Sequence, residues 1–301
     1  MLDGVLFFPV TPFSADGAVD TGVLAEHLRR GLAAGPGGIF AACGTGEFHA
    51  LSPEEYQEVV ATAVKEADHR VPVFAGCGGP LPTAFRLARL ARDAGADGLL
   101  LMPPYLVAGP PAGLIAYTRA VAGATELPVI VYQRGSVIFD PSSAVSVAAL
   151  PTVVGFKDGL GDLDRLGQIV AAVGRALPDK PFQFFNGMPT AEATVPAYRA
   201  IGVELYSSAA FCFAPEVSMA FYRALTEGDT VTERRLLAEF FYPLSQLRAQ
   251  VPGYAVSLVK AGVGLRGLDA GSVRPPLVDP SPEHLEELGG ILAVGLSAVG
   301  A

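Results

Sequence analysis

The chain has 301 residues, of which 50% are hydrophobic and 17% charged, with a formal net charge of −9. That composition excludes a disordered chain, and the length allows one large domain, alone or with a small appendage. An acidic balance without any basic run argues against nucleic acid and anionic membrane surfaces as partners, and leaves a small anionic substrate open.

In chain order, short apolar runs alternate with helical patterns. The runs at 4–10, 38–42, 71–76, 98–102, 129–132, 153–156, 182–185 and 203–206 are mostly continuous, as in parallel strands buried on both faces. After the first run, Leu24, Leu28 and Leu32 repeat at helical spacing. After the second, Ser52-Pro53-Glu54-Glu55 predicts a helix start with Ser52 as N-cap. After the third, Arg86, Arg89 and Arg92 form the solvated face of a helix whose other side carries Phe85, Ala88 and Leu90. Ala94-Gly95-Ala96-Asp97-Gly98 and Ala200-Ile201-Gly202-Val203 mark helix stops that run into strands.

Eight such units predict an α/β fold, a (β/α)8 TIM barrel with its active site at the carboxyl ends of the strands. A doubly wound open sheet shares this periodicity, which cannot show closure. Beyond Gly228 the pattern changes to helices at 230–250, 254–262 and 282–297 without intervening strands. The expected division is a barrel over 1–228 and a C-terminal α-helical appendage over 229–301.

The N-terminus has no basic start or cleavage pattern, so no export signal is expected. Residues 288–301 are uncharged but too short to span a membrane. Cys43, Cys77 and Cys212 have no metal-ligand spacing and fit free thiols in a cytoplasmic protein. His27, His49, His69 and His284 likewise lack ligand spacing, so no metal is expected. Gly262-Val263-Gly264-Leu265-Arg266-Gly267 spells the dinucleotide fingerprint but opens no strand–helix unit, which leaves it without its required context.

The chemistry is sought where strands end. Lys157 closes the sixth run and precedes the turn pair Asp158-Gly159. Burial lowers the pKa of a lysine and frees its amine as a nucleophile near neutrality. As a residue type it is equally a strand-end lysine paired with Asp158 or Asp162. Tyr132 ends the fifth run and could relay protons, or be a core residue with a satisfied hydroxyl. Backbone amides of the turn Gly44-Thr45-Gly46 could cradle a carboxylate, or form an ordinary tight turn. Asn186, Ser207 and Ser208 stand at the last two strand ends with side-chain donors. Arg134, two residues past Tyr132, is either a bidentate partner for a distal carboxylate or a surface arginine.

Together these strings resemble a known family. Phe8-Pro9-Val10-Thr11-Pro12-Phe13, Gly44-Thr45-Gly46-Glu47, Tyr132 and Gly155-Phe156-Lys157-Asp158 resemble the pyruvate-type class I aldolase superfamily of dihydrodipicolinate synthase and N-acetylneuraminate lyase. The resemblance spans residues 4 to about 262. It implies a (β/α)8 barrel, a Schiff-base lysine at Lys157, a proton-relay tyrosine at Tyr132 and keto-acid carboxylate binding at Thr45 and Gly46. It also implies a homotetramer and no cofactor.

Narrower strings resemble the superfamily's decarboxylating dehydratases of keto sugar diacids. They are Tyr132-Gln133-Arg134, Phe156-Lys157-Asp158-Gly159, residues 185–192 and residues 202–209. Gly44 stands where the synthases keep a relay threonine, and Leu106 where they place a tyrosine from a neighbouring subunit. Their relay is therefore broken here, which favours dehydration over aldol condensation. On the polyhydroxy substrate that this resemblance implies, Asn186, Ser207 and Ser208 are expected on the hydroxyls.

Overall fold

The alternation closes into a ring. The structure, a computed structural model, describes every residue except Pro103, Tyr105 and Leu106. Eight parallel strands pair in sequence order and the last returns to the first: β1 (Leu6–Phe7), β2 (Gly38–Ala41), β3 (Val73–Cys77), β4 (Gly98–Leu101), β5 (Val129–Gln133), β6 (Val153–Asp158), β7 (Gln183–Asn186) and β8 (Leu205–Ser208). Closure settles the alternative left by periodicity: the sheet is a barrel, not an open doubly wound one.

Each strand is followed by a helix: α1 (Thr21–Ala33), α2 (Pro53–Ala67), α3 (Leu81–Asp93), α4 (Pro111–Gly123), α5 (Pro141–Ala148), α6 (Leu163–Ala176), α7 (Val195–Ala200) and α8 (Pro215–Glu227). The expected start of α2 is a full capping box, in which Ser52 Oγ accepts from the Glu55 N–H and the Glu55 carboxylate accepts from the Ser52 N–H.

The expected helix over 230–250 is continuous but not uniform. It runs as α9 (Thr230–Leu236), a π-helical turn (Leu237–Phe241) and α10 (Tyr242–Ala249), and is followed by α11 (Tyr254–Leu265) and α12 (Pro282–Val299). Among the described residues, no helix is long and apolar enough to cross a membrane. The glycine string at 262–267 lies on the last turns of α11 and just beyond, where a Cβ at Gly262 would meet the Phe213 ring at 2.6 Å. That glycine serves close packing.

Side chains alternate along each strand between the barrel interior and the layer beneath the helices. Leu6, Phe8, Phe40, Phe74, Leu100, Ile130, Tyr132, Phe185 and Leu205 share the interior. Phe7, Ile39, Ala75, Leu99, Val131, Phe156 and Tyr206 belong to the outer layer. The interior is filled rather than hollow. Phe8 stacks on Phe40 with ring centroids 4.5 Å apart, and Phe40 stacks on Phe74 at 5.2 Å. This alternation decides which strand-end residues reach the mouth.

Candidate active site

Lys157 and Tyr132 are register partners on β6 and β5, so both point into the barrel at the same height. Lys157 is only 5% exposed. Its Nζ lies 3.9 Å from the centroid of the Phe8 ring and 4.8 Å from that of Tyr132. Neither carboxylate considered as a partner for Lys157 reaches it. Asp162 caps α6 and pairs with Arg165, while Asp158 has the opposite parity and points outward. Burial lowers the Lys157 pKa to about 7, against an opposing influence of Cys43 and with a smaller lowering from the Arg134 charge. A large share of the amines is therefore neutral at physiological pH.

The phenol of Tyr132 donates to the Gly187 carbonyl at 3.0 Å. Burial raises its pKa above the usual value, opposed by the Arg134 charge. Two glycines make room for the pair. A Cβ at Gly187 would lie 2.5 Å from Lys157 Cε, and one at Gly159 would lie 2.7 Å from Tyr132 Oη. Neither glycine stands out as a site residue in the sequence, although each follows directly on a strand end.

The cleft above Lys157 is lined by Phe8, Gly44, Thr45, Leu100, Met102, Tyr132, Arg134, Gly187, Met188, Pro189, Ser207, Ala209, Ala255 and Val256. Among these residues the charges are Lys157 and Arg134, with no carboxylate. Arg134 is exposed at the rim, and its Nη1 lies 3.8 Å from where a Cβ of residue 44 would be. The guanidinium thus lies beside the bare backbone at Gly44. Among the described residues, neither the Thr45 nor the Gly46 N–H donates to a protein acceptor. The Gly46 carbonyl accepts from the buried Thr11 hydroxyl at 2.7 Å, which fixes the turn. Leu106 lies outside the described residues.

Two of the sequence expectations are corrected by parity. Asn186 is buried in the outer layer, where its Nδ2 donates to Thr194 Oγ1 at 2.8 Å and to the Ala191 carbonyl at 3.2 Å. Its Oδ1 accepts from the Met188 N–H, so its polar atoms hold the loop after β7 and do not line the cleft. Ser208 is register partner to outward-facing Phe7, and its Oγ meets Ser218 Oγ at 3.1 Å and accepts from the Phe211 N–H. Ser207, on the inward parity beside Leu6, does line the cleft.

The outward positions form a support that sequence reasoning missed. Asp158 accepts from Gln133 Nε2 at 2.6 Å, from the Gly161 N–H at 3.1 Å and from the Tyr198 hydroxyl. Gln133 in turn accepts from the Phe139 N–H. The residue after the lysine and the residue after the tyrosine are thus bonded to each other, behind the pair they position.

A closed (β/α)8 barrel with a desolvated lysine at the end of β6 and a phenol beside it on β5 has the constitution of an imine-forming enzyme. The profile of the Dihydrodipicolinate synthetase family matches residues 1–294. The chain belongs to that family. It is 57% identical over 292 residues to the Streptomyces coelicolor protein named "Probable 5-dehydro-4-deoxyglucarate dehydratase 1", covering 97% of this chain and 92% of that one. Dihydrodipicolinate synthase from Oceanobacillus iheyensis superposes with a TM-score of 0.89 at 28% identity, covering 97% of this chain and 96% of the other. YagE, a prophage protein from E. coli K12 crystallised in complex with pyruvate, superposes with a TM-score of 0.86 at 26% identity, covering 97% and 98%.

Proposed function

We propose that this protein is a decarboxylating dehydratase that converts 5-dehydro-4-deoxy-D-glucarate to 2,5-dioxopentanoate, water and CO2 through a Schiff base on Lys157. The observation that carries the reading is a cleft with an arginine at its rim and no lining carboxylate, built around an amine whose pKa is about 7. Such a cleft suits a substrate with two carboxylates and one ketone. The name carried by the 57%-identical relative supplies the particular diacid.

In the reaction, the neutral Lys157 amine adds to the C5 ketone and water leaves, giving an iminium. The iminium acidifies C4, whose proton passes to Tyr132, left as phenolate once it has protonated the departing carbinolamine hydroxyl, or to the substrate's own carboxylate. Hydroxide then departs from C3, leaving a conjugated iminium. That system accepts the electron pair released when the C1–C2 bond breaks and CO2 departs. Reprotonation and hydrolysis regenerate the amine and release the dioxo acid. One water and one CO2 leave overall, and the reaction balances with the lysine as its electron sink.

Thr45 and the Gly46 amide hold the carboxylate beside the ketone, a role supported by their N–H groups, which have no protein acceptor among the described residues. Arg134 takes the distal carboxylate, and Ser207 a substrate hydroxyl. Gly44 lacks the hydroxyl that aldol condensation uses in the synthases, which supports dehydration. The three cysteines are buried and free, in keeping with a cytoplasmic enzyme, and the family resemblance favours a homotetramer.

Borohydride reduction in the presence of the diacid tests the reading. It is expected to fix a substrate-derived mass on Lys157, while untreated enzyme releases CO2 in step with dioxopentanoate. Pyruvate without CO2 would identify an aldolase instead. An unmodified Lys157 would leave only a keto-acid-binding barrel.

A further inference from the structure

Behind the carboxylate turn lies an ion pair that the reaction does not touch. Glu47, the residue after Gly46, is fully buried and has a left-handed backbone, φ 55°. Its Oε1 accepts from Lys260 Nζ at 2.9 Å, and its Oε2 from the Arg274 N–H at 2.8 Å. Lys260 is 2% exposed, donates also to the Ser272 carbonyl at 2.9 Å, and sits 4.0 Å from the centroid of the Phe13 ring.

Neither feature is a ready source of stability. A non-glycine residue in the left-handed region is strained, and a buried ion pair often stabilises no better than apolar residues of the same volume. The arrangement therefore needs a reason other than stability, and its location supplies one. The Gly46–Glu47 peptide is held from both sides, by the Thr11 hydroxyl on the Gly46 carbonyl and by Lys260 on the Glu47 side chain. Those two bonds set the orientation of the turn whose Thr45 and Gly46 N–H groups have no protein acceptor among the described residues. Lys260 belongs to α11, whose Ala255 and Val256 already line the cleft.

We propose that Lys260 is a positioning residue for substrate carboxylate binding, acting through Glu47 on the 44–47 turn, so that α11 is part of the specificity apparatus. The inference rests on reading Thr45 and Gly46 as the carboxylate cradle. Its test compares an anion with an uncharged analogue. Cyanoborohydride trapping on Lys157 is titrated with pyruvate and with methyl pyruvate in the wild type, Lys260→Arg, Lys260→Met and the double variant Glu47→Gln/Lys260→Met. Wild type is expected to half-saturate at lower concentration with the acid than with the ester.

Lys260→Met is expected to raise the half-saturating concentration of the acid about tenfold or more and leave that of the ester unchanged, with Lys260→Arg in between. The double variant has no unpaired buried charge. It is expected to regain the melting temperature that Lys260→Met loses, but not the preference for the acid, and it decides the matter if the single variant fails to fold. A double variant with wild-type preference for the acid would overturn the proposal and reduce the pair to a structural one. A wild type that traps acid and ester alike would instead overturn the cradle itself.

Discussion

Replacing Lys157 by methionine is expected to stabilise the protein while abolishing turnover. The folded amine titrates near pH 7 because it is buried, whereas in the unfolded chain it titrates near the ordinary 10.5. Between those values the unfolded chain binds more protons, so the wild-type fold loses stability as pH falls from 10.5 towards 7. The difference amounts to about 4 kcal/mol at pH 7 and about 2 kcal/mol at pH 9. Methionine has nearly the same length, fills the space over Phe8 and carries no charge to desolvate. Thermal melts of Lys157→Met should therefore exceed wild type by about 6 °C at pH 7, with the gain roughly halved at pH 9. A gain independent of pH, or none, would mean that the amine is not desolvated in the folded state, and the argument for its nucleophilicity would fail with it.

The same titration predicts kinetics. The kcat/KM should climb as the amine loses its proton and level off above about pH 7, with a descending limb only beyond the ordinary phenol range because burial raises the Tyr132 pKa. Gly187→Ala places a methyl 2.5 Å from Lys157 Cε and 2.8 Å from the Asp158 carbonyl oxygen. Displacing the amine by about 1 Å should lower kcat/KM and the trapping rate about 100-fold. Gly174→Ala, with no atom within 4 Å of the new methyl, is the control and should change neither. Arg134→Ala should raise KM for the diacid at least about tenfold and leave the melting temperature unchanged. Because the Arg134 charge helps hold the Lys157 pKa down, the ascending limb of its pH profile should also move to higher pH. An unaltered KM would remove Arg134 from the site.

The barrel and its reacting pair are readable in the sequence because continuous apolar runs locate strands, and Lys157 and Tyr132 each end one. Orientation is harder to read. Asn186 and Ser208 follow strands as closely as Ser207 does, yet they fall on the outward parity. Alternation starting from Lys157, with Asp158 turned away from it, holds the signal that separates the two classes. The supports are less legible still. Glu47 and Lys260 stand 213 positions apart, and only the closed fold brings them together. Gly159 and Gly187 look like turn glycines until the side chains that need their space are in view.

The stacked rings of Phe8, Phe40 and Phe74, with Phe8 directly against Lys157, have a consequence for the order of events. A floor of stacked rings gives water no route to the carbon–nitrogen double bond from below. Solvent must arrive by the same doorway as the diacid, past whatever occupies it. While the six-carbon chain fills that doorway the adduct is shielded, and cleavage becomes easy once CO2 has left and the remaining five-carbon fragment is loose enough to admit a water molecule. On the proposed mechanism, this geometry would delay hydrolysis until the carbon skeleton has been shortened.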